Sequence, residues 1–364
     1  MDLETLIRQA GEVFVLTEDA PARYQACRES LLDEVNAHMG GQADIQRLLG
    51  GNTQGFMKEN HRHHVDFMTT VFQYHRHELL AKTLPWVYRT YHGHGFSYDY
   101  FPRVLTAWKT AVGHHIGAEH GAGIQGVYDW MLAVHDDLIV LSKQLPRVDE
   151  ACPELRDPRR SLMTSLLGAD FQAALAISRA LLESENGQEK LYLGVIQPVM
   201  EEIGLMWEND RINSAEEHLA TSMVGRILSG LYPLLPFSAS ARGKAVVTSA
   251  PNEYHELGGR MLADMLEADG WDILFLGSNT PPEALLDMVV KQRPRFLAIS
   301  LTMSFGLERV EKIIRSVREN PLLQDLRVMV GGAAFNADPD LWRQVGADAW
   351  AADSRQAVTM AREW

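Results

Sequence analysis

One short segment sets a metal ligand beside a residue that can orient it: Pro251-Asn252-Glu253-Tyr254-His255-Glu256-Leu257-Gly258-Gly259. An imidazole nitrogen is a good ligand for a borderline transition metal. A carboxylate two residues earlier can hold the other ring nitrogen and set the tautomer. The paired glycines let the backbone approach a bulky ligand. Taken alone, a loop histidine is more often a surface residue. Two further segments favour a site: Ser300-Leu301-Thr302-Met303-Ser304 and Gly331-Gly332-Ala333 offer small hydroxyls and bare backbone. Together they predict a deep slot with its walls stripped.

A second set lies upstream, where Trp207 precedes Glu217 and His218 by ten and eleven residues. Helix physics alone gives these a structural reading. Trp207 would be core, and Ser214-Ala215-Glu216-Glu217 fits a capping box with Ser214 as N-cap and Glu217 reaching back. A third set lies near the N-terminus, because twelve of the 14 histidines fall between His38 and His135. On a helix over 55–91, His61, His64, Met68, Phe72, His75 and Leu79 share one face. Histidines interleaved with Met and Phe predict a pocket for a flat, polar-edged ligand; the bland alternative is partly buried or surface histidines. His63 and His77 are expected to face solvent. His92 and His94 sit just before the next helix, and Tyr88, Tyr91, Trp108 and Trp130 would add aromatic walls.

The elements that must position these residues change character along the chain. Residues 1–146 read as all helix, with apolar positions at three and four spacing over 55–91, 99–117 and 122–145. Residues 159–235 read as four shorter helices. From 243 to 364 short apolar strands (244–250, 271–277, 296–302, 326–332, 347–352) alternate with helices (257–268, 282–293, 306–319, 338–345, 354–363). Such alternation implies a doubly wound parallel sheet, whose ligands bind at the carboxyl ends of the strands. The polar stretches 147–161 and 236–244 read as joints. The predicted fold class is therefore multidomain: an all-α N-terminal domain, a four-helix cap, and a C-terminal Rossmann- or flavodoxin-like sheet.

The 364 residues are too many for one core. No apolar run reaches the roughly 18 residues of a membrane span, and the acidic N-terminus is unlike a secretory signal. With only two cysteines, a Cys-based metal site is excluded and a reducing cytoplasm is the expected home. The net charge of −14 repels phosphate backbones, so direct nucleic-acid binding is not expected.

The spacing of Glu253, His255 and Gly258, followed by Ser300 and Gly331-Gly332, resembles the cobalamin-binding signature of methionine synthase-type domains. The resemblance covers 243–364. It implies that His255 replaces the dimethylbenzimidazole base beneath cobalt, and that the displaced tail runs past Ser300 and the two glycines. Tyr254, Glu256, Leu257, Thr302 and Ser304 would complete the contacts. Most members carry aspartate where this chain has Glu253, although several light-sensing members share the glutamate. The helical cap with Trp207 and Glu217-His218 is similar to that of CarH-type adenosylcobalamin photoreceptors. This implies that Trp207 packs on the adenosyl group, Glu217 bonds it, and His218 supports both. In that family a histidine follows the tryptophan and takes the vacated cobalt face after light; here the residue is Glu208, so the lit-state ligand stays open between His218, water, an N-terminal histidine and none.

Those photoreceptors begin with a basic DNA-binding domain; the N-terminal region here is expected to be a histidine-rich helical module instead. That module resembles a divergent globin, and the combination resembles a photocobilin. That resemblance implies biliverdin as a second chromophore, met by His64, Met68, His75, Tyr88, His92 and His94. Neither Cys27 nor Cys152 lies there, so binding would be noncovalent; heme is the competitor. The expected function is a photoreceptor whose cobalt–carbon bond is cleaved by light, changing domain contacts or a homo-oligomer, with no turnover of substrate. The alternatives are a corrinoid methyl carrier serving methyltransferases and a heme-based sensor.

Overall fold

The computed structural model describes residues 1–144, 152–237, 242–338 and 340–364. The chain divides into two compact units, Met1–Pro146 with Glu208–Asp210, and Arg147–Trp207 with Arg211–Trp364. Residues 147–151 and 238–241, within the two expected joints, lie outside the described residues. The rest of the first joint is already structured, since a helix begins at Arg156.

The first unit is helical: α1 (Leu3–Val13), α2 (Ala20–Gly40), α3 (Ile45–Leu49), α4 (Gln54–Gln73), α5 (His77–Gly93), α6 (Tyr100–His115), α7 (Ala118–Ala133) and α8 (His135–Ser142). Its core joins Tyr24, Met68, Phe72, Tyr88, Trp108 and Tyr128, all nearly or fully buried. The helix expected over 55–91 is two helices. His75 takes φ 53, His75 N–H bonds the Phe72 carbonyl and Arg76 N–H reaches back to Val71. That is a left-handed helix stop, made here by a histidine rather than the glycine that would have announced it. Pro85 instead lies inside α5 without ending it.

The second unit begins with helices α9 (Arg156–Leu167), α10 (Phe171–Leu182), α11 (Gly187–Leu191), α12 (Gln197–Glu208) and α13 (Ser214–Leu231). A π-turn over Tyr192–Ile196 joins α11 to α12. The sheet follows: β1 (Lys244–Ser249), α14 (Leu257–Ala268), β2 (Asp272–Phe275), α15 (Pro282–Gln292), β3 (Phe296–Ser300), α16 (Leu307–Glu319), β4 (Arg327–Gly331), α17 (Ala333–Ala337), α18 (Leu341–Gln344), β5 (Ala349–Ala351) and α19 (Ser354–Ala361). The five strands are parallel in the order β2-β1-β3-β4-β5. The order reverses between β1 and β3, which is where doubly wound sheets open a crevice.

Val246, Val247, Leu297, Ile299, Val328 and Val330 are buried, as strands covered by helices on both faces must be. The helical layer above has its own core of Leu162, Leu191, Val195, Ile203, Val224 and Leu228, and Met261 of α14 belongs to it. Tyr192 in the π-turn donates its hydroxyl to Asp264 Oδ2 at 2.7 Å, with both groups buried. Burial raises the Asp264 carboxyl to about 6. Apolar packing and this buried bond together fix α14 against the cap.

Candidate functional site

At the switch point Ser249 of β1 lies opposite Ser300 of β3, and Ser300 opposite Gly331 of β4. The register therefore brings three loop starts to one edge. The loop after β1 turns through Asn252, at φ 59, and its shape is pinned by Ser249 Oγ, which donates to the His255 carbonyl at 3.0 Å.

Glu253 organises this edge. Its Oε1 accepts from His255 Nδ1 at 2.5 Å and from the His255 backbone N–H at 3.1 Å. Its Oε2 accepts from the backbone N–H groups of Thr302 and Met303 at 2.9 and 3.0 Å. The carboxylate is 3% exposed, whereas the His255 side chain is 61% exposed. Burial pushes the Glu253 carboxyl upward, but the His255 and backbone N–H donors outweigh it and hold it at about 2. The bond from Glu253, opposed by burial and aided by the charges of Glu253 and Glu217, raises the His255 proton affinity. With Nδ1 committed, Nε2 carries the lone pair that faces outward. The longer arm of a glutamate thus reaches across to the loop after β3, where two N–H groups receive it.

The expected stripped walls are only partly so. A Cβ on Gly258 would meet open space, whereas one on Gly332 would lie 2.4 Å from the Leu301 carbonyl oxygen, at φ 97. Gly331 would bring its Cβ to 3.0 Å from the Ala351 oxygen. Gly332 lets the loops after β3 and β4 pack backbone to backbone, and Gly331 lets β4 lie close to β5, which shapes the edge rather than opening it. Tyr254 is 70% exposed beside His255. Thr302 contributes its backbone, Ser304 opens a short 3-10 turn, and Glu256 and Leu257 start α14. The two N–H groups that hold Glu253 carry no side-chain signature, and sequence reasoning missed them.

On the cap, Trp207 Nε1 donates to Ser214 Oγ at 3.0 Å. The capping box is real but one residue earlier than expected. Asn213 is the N-cap, accepting from Ala215 and Glu216, and Glu216 reaches back to the Asn213 N–H. Glu217 is thereby released from capping. Its Oε2 accepts from His218 Nδ1 at 2.6 Å and its Oε1 from Thr221 Oγ1 at 2.7 Å. The negative charge of Glu217 adds in a minor way to that of Glu253 in raising the His255 proton affinity. Glu208, which follows Trp207, groups with the first unit, where its carboxylate accepts from Trp86 Nε1 at 2.8 Å and Arg89 at 3.1 Å.

The first unit holds an apolar pocket lined by His61, His64, Met68, Tyr88, Tyr91 and Trp108 among others, with a cavity volume of about 50 Å³. His61 Nδ1 bonds Asn36 Oδ1 and its Nε2 bonds the Tyr100 hydroxyl, both at 2.7 Å. His64 Nε2 lies 3.0 Å from the Tyr128 hydroxyl, which meets Tyr24 at 3.1 Å. Burial pushes His61 down to about 4 and His64 down to about 3, so both are neutral. Three expected members do not line this pocket. His75 is exposed in the helix stop. His92 bonds the Phe96 carbonyl and stacks on Tyr98, closing the end of α5. His94 caps the same helix. Trp130 is buried outside the lining, and His63 and His77 are half-buried rather than solvent-facing.

The sheet, its edge histidine and the cap define a cobalamin-binding module. Residues 159–232 and 243–359 each match a B12 binding domain. The module is CarH-like. The chain is 32% identical over 145 residues to the HTH-type transcriptional repressor CarH of Myxococcus xanthus, covering 40% of this chain and 48% of that protein. It is 27% identical to the repressor CarA of the same organism, covering 55% of this chain and 66% of CarA. It is also 26% identical to the dimethylamine corrinoid protein of Methanosarcina barkeri, covering 45% of this chain and 77% of that protein. The match thus spans about half the length of CarH. The monomethylamine corrinoid protein of Methanosarcina barkeri shares the fold, with a TM-score of 0.51 at 19% identity, over 57% of this chain and 99% of that one.

The residues present fit a corrinoid. One outward imidazole, backed by a buried carboxylate, suits a metal that brings its own equatorial donors, and open space at Gly258 sits at the start of the adjoining helix. Among the described residues no helix is long and apolar enough to cross a membrane.

Proposed function

We propose that this protein is a cytoplasmic light sensor that binds adenosylcobalamin, with no catalytic turnover. The single observation that carries the reading is the Glu253–His255 pair at the sheet edge, with Nδ1 held by the buried carboxylate at 2.5 Å. When bound, adenosylcobalamin supplies a photolabile cobalt–carbon bond. His255 would hold the lower cobalt face, with Glu253 fixing its tautomer. Trp207, Glu217 and His218 would cover the upper group and keep water from it. Loss of that group would remove contacts made by the cap, a ligand-biased two-state element.

CarH and CarA are transcriptional repressors. In this chain the net charge of −14 opposes direct DNA contact, so the output is read as a change in domain contacts or homo-oligomeric state. The N-terminal unit is read as a globin-like domain for noncovalent biliverdin, with His64, Met68 and Tyr88 from the pocket lining as its contacts and heme as the competitor. A small-molecule site occupies roughly 300–1,000 Å³, so side chains around the 50 Å³ void must move to admit a bilin. The second reading, a corrinoid methyl carrier, is favoured by the similarity to dimethylamine corrinoid protein over 77% of its length.

The test is reconstitution of the full chain in darkness with adenosylcobalamin, with and without biliverdin, followed by green light. Bleaching of the adenosylcobalamin bands together with a shifted size-exclusion profile is expected. Unchanged elution after complete bleaching, with methyl transfer to a partner enzyme, would favour the carrier. A far-red band reports a bilin, and a carbon monoxide-sensitive Soret band reports heme.

A further inference from the structure

Helix α12 carries Trp207 near its far end, and its aim is set where it begins. Pro198 lies in its first turn. Proline has no N–H, and its ring clashes with the carbonyl four residues back, here that of Gly194. An α register through this point would leave that carbonyl unpaired. The chain widens instead into the π-turn over Tyr192–Ile196, where the Gln197 N–H bonds the Tyr192 carbonyl. Arg159 Nε of α9 donates to the Gly194 carbonyl from the side, at 2.7 Å. Turns of this kind mark bends in helices and are frequent at functional positions. Helices α11 and α12 therefore meet at a bend where the regular hydrogen-bond ladder is interrupted.

Helix α14, which leads away from His255, is bonded to this bend. Its Arg260, Asp264 and Glu267 form one stripe at helical spacing, and each bonds a cap residue. Arg260 Nη2 donates to Ser229 Oγ of α13 at 2.8 Å, Asp264 Oδ2 accepts from the Tyr192 hydroxyl at 2.7 Å, and Glu267 Oε2 accepts from the Tyr232 hydroxyl at 2.8 Å. The outer two bonds are exposed. Tyr192 is fully buried and Asp264 is 5% exposed, so the central bond is shielded from water and costly to break.

We infer that Tyr192 and Asp264 are positioning residues for the upper face of the corrinoid: their bond sets the angle of α12 at the π-turn and so holds Trp207 over that face. Without the bond α12 pivots about Pro198 and uncovers the upper face. His255 stays in place, because Ala263 and Leu266 keep α14 packed on the sheet. The inference rests on the cobalamin reading, with Trp207 as the cover, and needs neither light nor a bilin.

The experiment loads the full chain in darkness with aquacobalamin and measures from the visible bands how fast azide replaces the upper ligand. Tyr192→Phe and Asp264→Leu should each exchange about tenfold faster than wild type, as the loss of one buried hydrogen bond predicts. The double variant should exchange no faster than either single one, because the same bond is lost in all three. Asp264→Asn keeps an oxygen acceptor for the Tyr192 hydroxyl and should stay within about threefold of wild type. Histidine nitrogen splitting in the cobalt(II) resonance spectrum should be the same in every variant. Circular dichroism checks each fold, and if Asp264→Leu does not fold, Tyr192→Phe against Asp264→Asn decides. Equal exchange rates in wild type and Tyr192→Phe overturn the inference alone, as does acceleration accompanied by an altered histidine splitting. Failure of wild type to retain any corrinoid overturns the cobalamin reading and the inference with it.

Discussion

The two units use buried polar chemistry around histidine in opposite ways. In the first unit His61 and His64 are enclosed among aromatic rings, with only neutral partners (Asn36, Tyr100 and Tyr128). Desolvation wins, and both imidazoles stay uncharged. In the second unit His255 has a buried carboxylate at 2.5 Å, and pairing wins over burial. A neutral partner leaves a histidine as part of the core; an anchored carboxylate makes it a stronger electron-pair donor. The contrast separates a packing histidine from a ligand more sharply than burial alone.

The largest expected effect tests the second half of this contrast. Glu253→Ala removes the acceptor for His255 Nδ1 and for the N–H groups of Thr302 and Met303. Cobalamin retention, measured by equilibrium dialysis, should fall about 10–100-fold, and His255→Ala should lose at least as much. Retention within twofold of wild type for both variants would break the comparison.

Acid tests the first half. His61 has a folded-state value of about 4, below the ordinary 6.5. The unfolded chain therefore binds the proton first, and stability present above about pH 6.5 is lost as pH falls toward 4. For His61 alone, moving from pH 7.5 to pH 5 costs about 2 kcal/mol, and His64 acts in the same direction. Denaturant titrations of tryptophan and tyrosine signals at the two pH values measure it. A first unit equally stable at both would contradict neutral burial.

Smaller changes sharpen the picture. Tyr128→Phe deprives His64 and Tyr24 of their shared partner and should cost about 1–3 kcal/mol in the same titration. Asn213→Ala removes the N-cap of α13, at about 1 kcal/mol. If the cap orders the Glu217–His218 pair, that variant should also loosen cobalamin retention slightly; unchanged melting would show that the box contributes little.

Much of the second unit was legible in the sequence, because strand–helix alternation forces a parallel sheet and places the loop after β1 at its switch point. The Glu253–His255 pairing followed from spacing. The grip of Thr302 and Met303 on Glu253 did not, since backbone N–H donors look alike in every sequence. Ser214 and Asn213 are both good N-caps, each with a glutamate three residues on, so the sequence pattern alone does not choose the box register. In the first unit a residue without glycine's freedom, His75, took the left-handed stop. That one turn removed it from the stripe, and the stacking of His92 on Tyr98 removed another expected contact.

The central claim is most directly tested by electron paramagnetic resonance of the reduced cobalt(II) form of the reconstituted full chain. Nitrogen splitting of the cobalt lines should change when histidine alone carries the heavy nitrogen isotope, and this change should vanish in His255→Ala. A splitting indifferent to histidine labelling, as the corrinoid's own benzimidazole would give, contradicts the account.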